Sequence, residues 1–201
     1  MKRLGFVVLF AVSFCFVADV SAQVQKVNVS QTNPFVVYKD FANKNNHFYP
    51  SGWTGDYGDI HLSQNCPDAC SGTSCIKITY TAKASQGARW AAIYFMHPEN
   101  TWGNLDKGYN LTGAAKLTFW ARGEEGGETV SHFKVGGVTG NFSDTDQIYI
   151  GPVKLTKEWK QYTIDLTGMD LSRISGGFCL AFSRDDNPNG LVMYLDEIVY
   201  Q

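Results

Sequence analysis

The sequence predicts an all-β fold, a two-sheet antiparallel β-sandwich filling residues 34–201. Three observations carry this. Short apolar runs of strand length recur along the chain, and Gly, Asn, Asp or Pro punctuate nearly every gap between them. The composition is also that of a β-protein, with 20 Gly, 13 Phe, 10 Tyr and 5 Trp in 201 residues and only 18% charged residues. In order, the runs are Phe35–Phe41, Cys75–Ala82, Ala88–Met96, Lys116–Arg122, Val130–Val135, Gln147–Leu155, Lys160–Leu166, Gly177–Ser183 and Val192–Tyr200. Met169–Ile174 is the one candidate helix, a turn or two at most. The stretch from Pro50 to Asp59 reads as a loop.

Period-two alternation assigns the faces of three runs. Leu117, Phe119 and Ala121 point to the core, leaving Thr118, Trp120 and Arg122 outward. Ala91, Ile93 and Phe95 share one face, opposite Trp90, Ala92 and Tyr94. Tyr162, Ile164 and Leu166 form the apolar set of the run that follows Trp159.

Residues 1–22 read as a signal peptide. Lys2 and Arg3 precede an apolar run from Leu4 to Val17, and Val20-Ser21-Ala22 supplies a cleavage site. A lipoprotein would need a small residue before Cys15, where Phe14 stands. The mature chain is expected outside the cytoplasm, extracellular or periplasmic, with 23–33 as a flexible lead-in. No later stretch is long and apolar enough to insert in a membrane. Losing Lys2, Arg3 and Asp19 takes the formal charge from −2 to −3. Without a Lys/Arg cluster, that excludes a nucleic-acid footprint.

Four cysteines remain after cleavage: Cys66, Cys70, Cys75 and Cys179. Three crowd together before a strand, and in an exported protein this predicts a disulfide, with Cys66–Cys75 favoured because the intervening Pro, Ser and Gly can fold back. A zinc site is the rival reading. Cys179, in an apolar run, is read as a buried small hydrophobe.

Three further segments point beyond the fold. They are Asn110-Leu111-Thr112-Gly113-Ala114-Ala115-Lys116-Leu117-Thr118-Phe119-Trp120-Ala121-Arg122-Gly123-Glu124, then Leu155 to Leu166 around Glu158-Trp159-Lys160-Gln161-Tyr162, then Met193-Tyr194-Leu195-Asp196-Glu197-Ile198. In this order they resemble the carbohydrate-binding modules of the galactose-binding-like β-jelly-roll superfamily. The resemblance implies a jelly roll, a polysaccharide or oligosaccharide partner, and a structural calcium ion (Ca2+) where the first and last strands meet. The matching acid is Asp196, with Asp40 as partner. The bland alternative is a carboxylate that accepts backbone N–H bonds at a strand end.

Sugars present C–H faces flanked by hydroxyls, so their sites combine flat aromatic rings with polar side chains. Three regions have that mixture. Trp53, Asp56 and Tyr57 lie among small residues between Pro50 and Asp59. Trp90 and Tyr94 share a strand face, with Trp102 in a nearby loop. Arg184 and Asp186 sit in the polar segment 183–190. The function expected is non-catalytic binding of a polysaccharide by a secreted monomer. A jelly-roll lyase or glycoside hydrolase is the rival, but a retaining hydrolase needs carboxylates about 5–5.5 Å apart, and the acidic neighbours Glu124-Glu125 and Asp185-Asp186 are consecutive turn residues. A secreted adhesion or scaffold protein that binds another protein is the third reading.

Overall fold

The computed structural model describes residues 34–201. The expected signal peptide and the expected lead-in of residues 23–33 lie outside the described residues. The strands are β1 (Phe35–Tyr38), β2 (Tyr49–Gly55), β3 (Ile60–Cys66), β4 (Cys75–Tyr80), β5 (Trp90–Met96), β6 (Lys116–Gly123), β7 (Thr129–Val130), β8 (His132–Gly136), β9 (Gln147–Ile150), β10 (Val153–Lys154), β11 (Lys160–Asp165), β12 (Gly176–Ser183) and β13 (Leu191–Tyr200). They form the two antiparallel sheets of a jelly-roll sandwich. One sheet runs β11-β6-β13-β4-β3, with β1 also paired to β13, and the other runs β2-β5-β12-β8-β9. A two-stranded ribbon, β7-β10, completes the fold.

The sheets meet over an aromatic core. Phe119 of β6 reaches across to Phe133 of β8 and Phe178 of β12, with ring centroids 4.6 Å and 5.1 Å away. These three rings are fully buried, as are Leu117 and Ala121 of β6 and Ile93 and Phe95 of β5, so the alternation read from the sequence is the alternation observed.

Two expectations are corrected. Met169–Ile174 is not a helix, because Ile174 pairs as an isolated bridge with Tyr109 and turns inward with Leu171 to the core. Pro50–Asp59 is not a loop, since it holds most of β2 and a single 3-10 turn at Tyr57–Asp59. Pro and Gly discourage strand assignment, yet β2 is an edge strand, where a missing N–H donor is tolerated.

Buried aspartates fasten the connecting loops. Asp56 and Asp59 are fully enclosed. Asp56 accepts N–H bonds from Gln86, Ala88 and Arg89 at 2.8, 2.9 and 2.6 Å, and Asp59 accepts one from Ala84 at 2.7 Å. Ala82, Ala84 and Arg89 in that loop have φ of 55°, 56° and 64°. Such left-handed non-glycine backbone is strained and persists where its surroundings enforce it. The converging N–H groups make an anion-binding hollow that the carboxylates fill. Burial pushes the Asp56 carboxyl up, but the bonds from Ala88, Gln86 and Arg89 outweigh it and hold it below the usual carboxylate range.

Asp56→Ala strands three N–H donors inside the protein and frees a strained loop. It is expected to lower the melting midpoint by roughly 5–10 °C, read by calorimetry, and a change within about a degree would contradict this role. Asp196 behaves oppositely. Burial pushes its carboxyl up to about 6, with the Glu197 charge also raising it and N–H bonds from Ser71, Glu197 and Cys70 opposing. A raised folded-state value means that the native state binds the proton more tightly than the unfolded chain does. Its contribution to stability is therefore complete at acid pH and is lost as pH rises through about 6. Denaturant titrations should show the native chain gaining on Asp196→Asn between about pH 7.5 and about pH 4.5, and parallel curves would contradict it.

Candidate functional site

The outer face of the five-stranded sheet is built by the residues that alternate with the core. On β5 and β12 the inward rows are Ala91, Ile93, Phe95 and Phe178, Leu180, Phe182. The outward rows put Trp90 opposite Ser183, Ala92 opposite Ala181, and Tyr94 opposite Cys179. β8 continues them with His132 beside Ala181 and Lys134 beside Cys179, and β9 adds Tyr149 beside Lys134. On the other flank β2 contributes Thr54 opposite Ala92 and Gly52 opposite Tyr94.

The result is a floor of small residues rimmed by rings. Ala92, Ala181 and Cys179 pack under Tyr94 as a small apolar cluster separate from the main core. Trp90 is 44% exposed and Tyr149 64% exposed, large fractions for an aromatic side chain. The Trp102 ring stands edge-on to Tyr94, centroids 5.4 Å apart, and its Nε1 donates to Asn100 Oδ1 at 2.9 Å. Gly52 permits this placement, because a Cβ there would meet the Met96 sulfur at 2.5 Å and Trp102 Cζ2 at 3.1 Å. Trp102 itself has φ of 50°, an uncommon value for a bulky residue and of the kind stored at binding sites.

The polar groups of this face are sparse. Lys134 Nζ donates to the Tyr94 hydroxyl at 2.6 Å and lies 4.9 Å from that ring's centroid. His132, Lys134, Gln147 and Tyr149 line a depression of about 350 Å³, at the small end of the range for ligand sites. Burial lowers the proton affinity of His132, and the Lys134 charge lowers it further. Burial pushes the Cys179 thiol up to about 12 against the opposing effects of Lys134 and Tyr94, so it packs as an inert side chain. No outward side chain of these five strands is a carboxylate, so the face presents no acid pair for hydrolysis.

Of the residues singled out in the sequence, Trp90, Tyr94 and Trp102 come together here. Trp53 does not join them. It pairs with Ile93, on the inward side of β2, and packs half-buried against the core. Asp56 is sealed from ligand and occupied by its loop. Tyr57, 53% exposed, sits on the 3-10 turn beyond β2. Arg184 and Asp186 belong to the connection after β12. The Arg184 N–H donates to the Arg89 carbonyl, and Asp186 lines a separate cleft of about 600 Å³ between Glu124–Glu128 and Asn187–Val192. Thr54, Lys134, Gln147 and Tyr149 of this face carry no signal of their own in the sequence, and His132 reads there simply as a surface residue. A polar residue on the outer side of a strand has the same sequence signature whether it meets water or ligand.

The other sheet's outer face also carries aromatics, but they are closed on one another. The Arg122 guanidinium lies 3.8 Å from the Tyr194 ring centroid and 5.4 Å from that of Trp159, and it pairs with Asp68. The Tyr194 hydroxyl donates to Glu124.

Asp40 and Asp196 both reach the loop between β3 and β4. Asp40 Oδ1 accepts N–H bonds from Thr73 and Ser74, and Asp196 Oδ2 accepts them from Cys70 and Ser71. Calcium requires a shell of oxygen ligands, whereas these carboxylates face N–H donors. Among the described residues no group of three His, Cys, Asp or Glu is placed to hold a metal. The donor set at this position does not fit calcium. The expected disulfide is also absent. Cys66 and Cys75 face each other across β3 and β4, but they and the other described cysteines are free thiols. Burial, then a hydrogen bond with Cys66, pushes the Cys75 thiol up. Since the strands hold the two opposite each other, oxidation of the protein is expected to join this pair. Intact-mass and alkylation mapping would show it, and Cys66 and Cys75 both still alkylated after oxidation would contradict it.

No family model matches the chain, and no curated protein matches it. Solved structures do. A family 30 carbohydrate-binding module of a cellulosomal cellulase of Clostridium thermocellum aligns with a TM-score of 0.54 at 15% identity, covering 84% of this chain and 96% of that one. A family 11 carbohydrate-binding module from a cellulosomal cellulase of the same organism gives 0.54 at 13%, covering 83% and 93%. A family 29 carbohydrate-binding module gives 0.50 at 12%, covering 84% and 91%. At such identities the likeness is one of fold, and the fold is the jelly roll of carbohydrate-binding modules.

Proposed function

We propose that this chain is an exported, non-catalytic carbohydrate-binding protein whose polysaccharide ligand lies across the outer face of the five-stranded sheet. The observation that carries the reading is the convergence of Trp90, the Tyr94–Trp102 pair and Tyr149 on one face over a floor of alanine and cysteine. Flat rings at intervals, with small residues between, suit a chain of sugar rings whose C–H faces stack while their hydroxyls reach Thr54, Ser183 and Gln147. The likeness in fold to carbohydrate-binding modules supports the same reading, and so does the lack of a carboxylate pair on this face. The N-terminal apolar run supports export.

Affinity electrophoresis and calorimetry against β-glucan, xylan, mannan, pectin and alginate test it. The native chain is expected to bind at least one of them. Trp90→Ala and Tyr149→Ala should each weaken that binding roughly tenfold without moving the melting midpoint. Binding that survives both substitutions, or none to any polymer, would count against the site.

A further inference from the structure

Resting on that reading of the face, we infer that its ligand is an acidic polysaccharide, and that Lys134 recognises the sugar carboxylate. Of all the side chains on the five strands of this sheet, Lys134 alone carries a formal charge at neutral pH, and it stands on the outward side. The mature chain has more acidic than basic residues, so a wide surface without one carboxylate is a local departure from its own composition.

The ammonium group also forms no ion pair among the described residues. The described ion pairs engage Lys39, Arg89, Arg122, Lys157 and Arg173, and none includes Lys134. Asp144 feels the Lys134 charge without forming an ion pair with it, and its two oxygens already accept N–H bonds from Val138, Ser175 and Gly176. Instead Lys134 is tethered. One of its three donors goes to the Tyr94 hydroxyl, and its head lies near that ring, which fixes the charge within the 350 Å³ depression. A half-buried cation held on a neutral oxygen, with donors to spare, is prepared for an anion. A neutral sugar makes the opposite demand. Its hydroxyls donate as well as accept, and neutral-sugar sites answer with strong acceptors. This face offers only Gln147, hydroxyls and a histidine nitrogen for that task. A uronic acid carries its own acceptors and needs a donor, which Lys134 supplies.

The experiment compares polygalacturonate and alginate with the same polymers after chemical reduction of their carboxyl groups, titrated into the native chain, Lys134→Gln and Lys134→Arg. The native chain should bind a uronate polymer and lose roughly tenfold or more in affinity for its reduced form. Lys134→Gln should show the same loss, Lys134→Arg should retain binding within a few-fold, and all three should melt alike. Equal or better binding of the reduced polymers, or of a neutral glucan, overturns the inference while leaving carbohydrate binding intact. Failure to bind any polymer overturns both.

Discussion

The structure depends on the unequal sidedness of β5 and β12, the central pair of the five-stranded sheet. Their inward rows are bulky, with Ile93, Phe95, Phe178, Leu180 and Phe182 fully buried against the opposing sheet. Burying such side chains contributes on the order of 1.5–3 kcal/mol each, which fixes the strand register, since a one-residue slip would turn the whole row to water. The same register dictates the other side. There the pair offers Ala92, Ala181, Cys179 and Ser183, residues too small to cover the sheet, so the rings at Trp90, Tyr94 and Tyr149 stand above a shallow bed. Core and site are two faces of one alternation.

A second constraint keeps the rim in place. Asp56, Asp59, Asp144 and Asp196 each gather backbone N–H groups of loops that no regular element would satisfy. A buried carboxylate is costly unless donors surround it, and a loop with left-handed residues is costly unless something holds it. Each difficulty resolves the other. The Asp56 latch ends at Arg89, the residue next to Trp90, so the loop that presents this ring is fixed from beneath.

Much of this was legible in the sequence, because alternation is a direct consequence of a two-sided strand. It assigned the faces of β5, β6 and β11 correctly and placed Trp90 and Tyr94 on one face of β5. It failed where a local signal pointed away from the tertiary one. Pro50, Gly52 and Gly55 disguised β2 as a loop, although Gly52 is needed for Trp102 to lie close. With β2 disguised, nothing local shows that Trp53 pairs with Ile93 and turns its ring toward the core. Met169–Ile174 reads as a helical turn, but Leu171 and Ile174 are used by an irregular segment to reach the core. Lys134 left no mark in the sequence, because its significance lies in what is absent around it. Only the sheet order shows that its neighbours on β9, β12 and β5 carry no carboxylate.

The most direct measurement of the central claim is a titration of the isotopically labelled protein with an oligosaccharide of a bound polymer, followed by NMR. The account predicts that shifts gather at the indole of Trp90, the amides of Ala92, Cys179 and Ala181, and the side chains of Lys134 and Tyr149. Shifts confined to the cleft between Glu124–Glu128 and Asn187–Val192, with the sheet face unmoved, would contradict it.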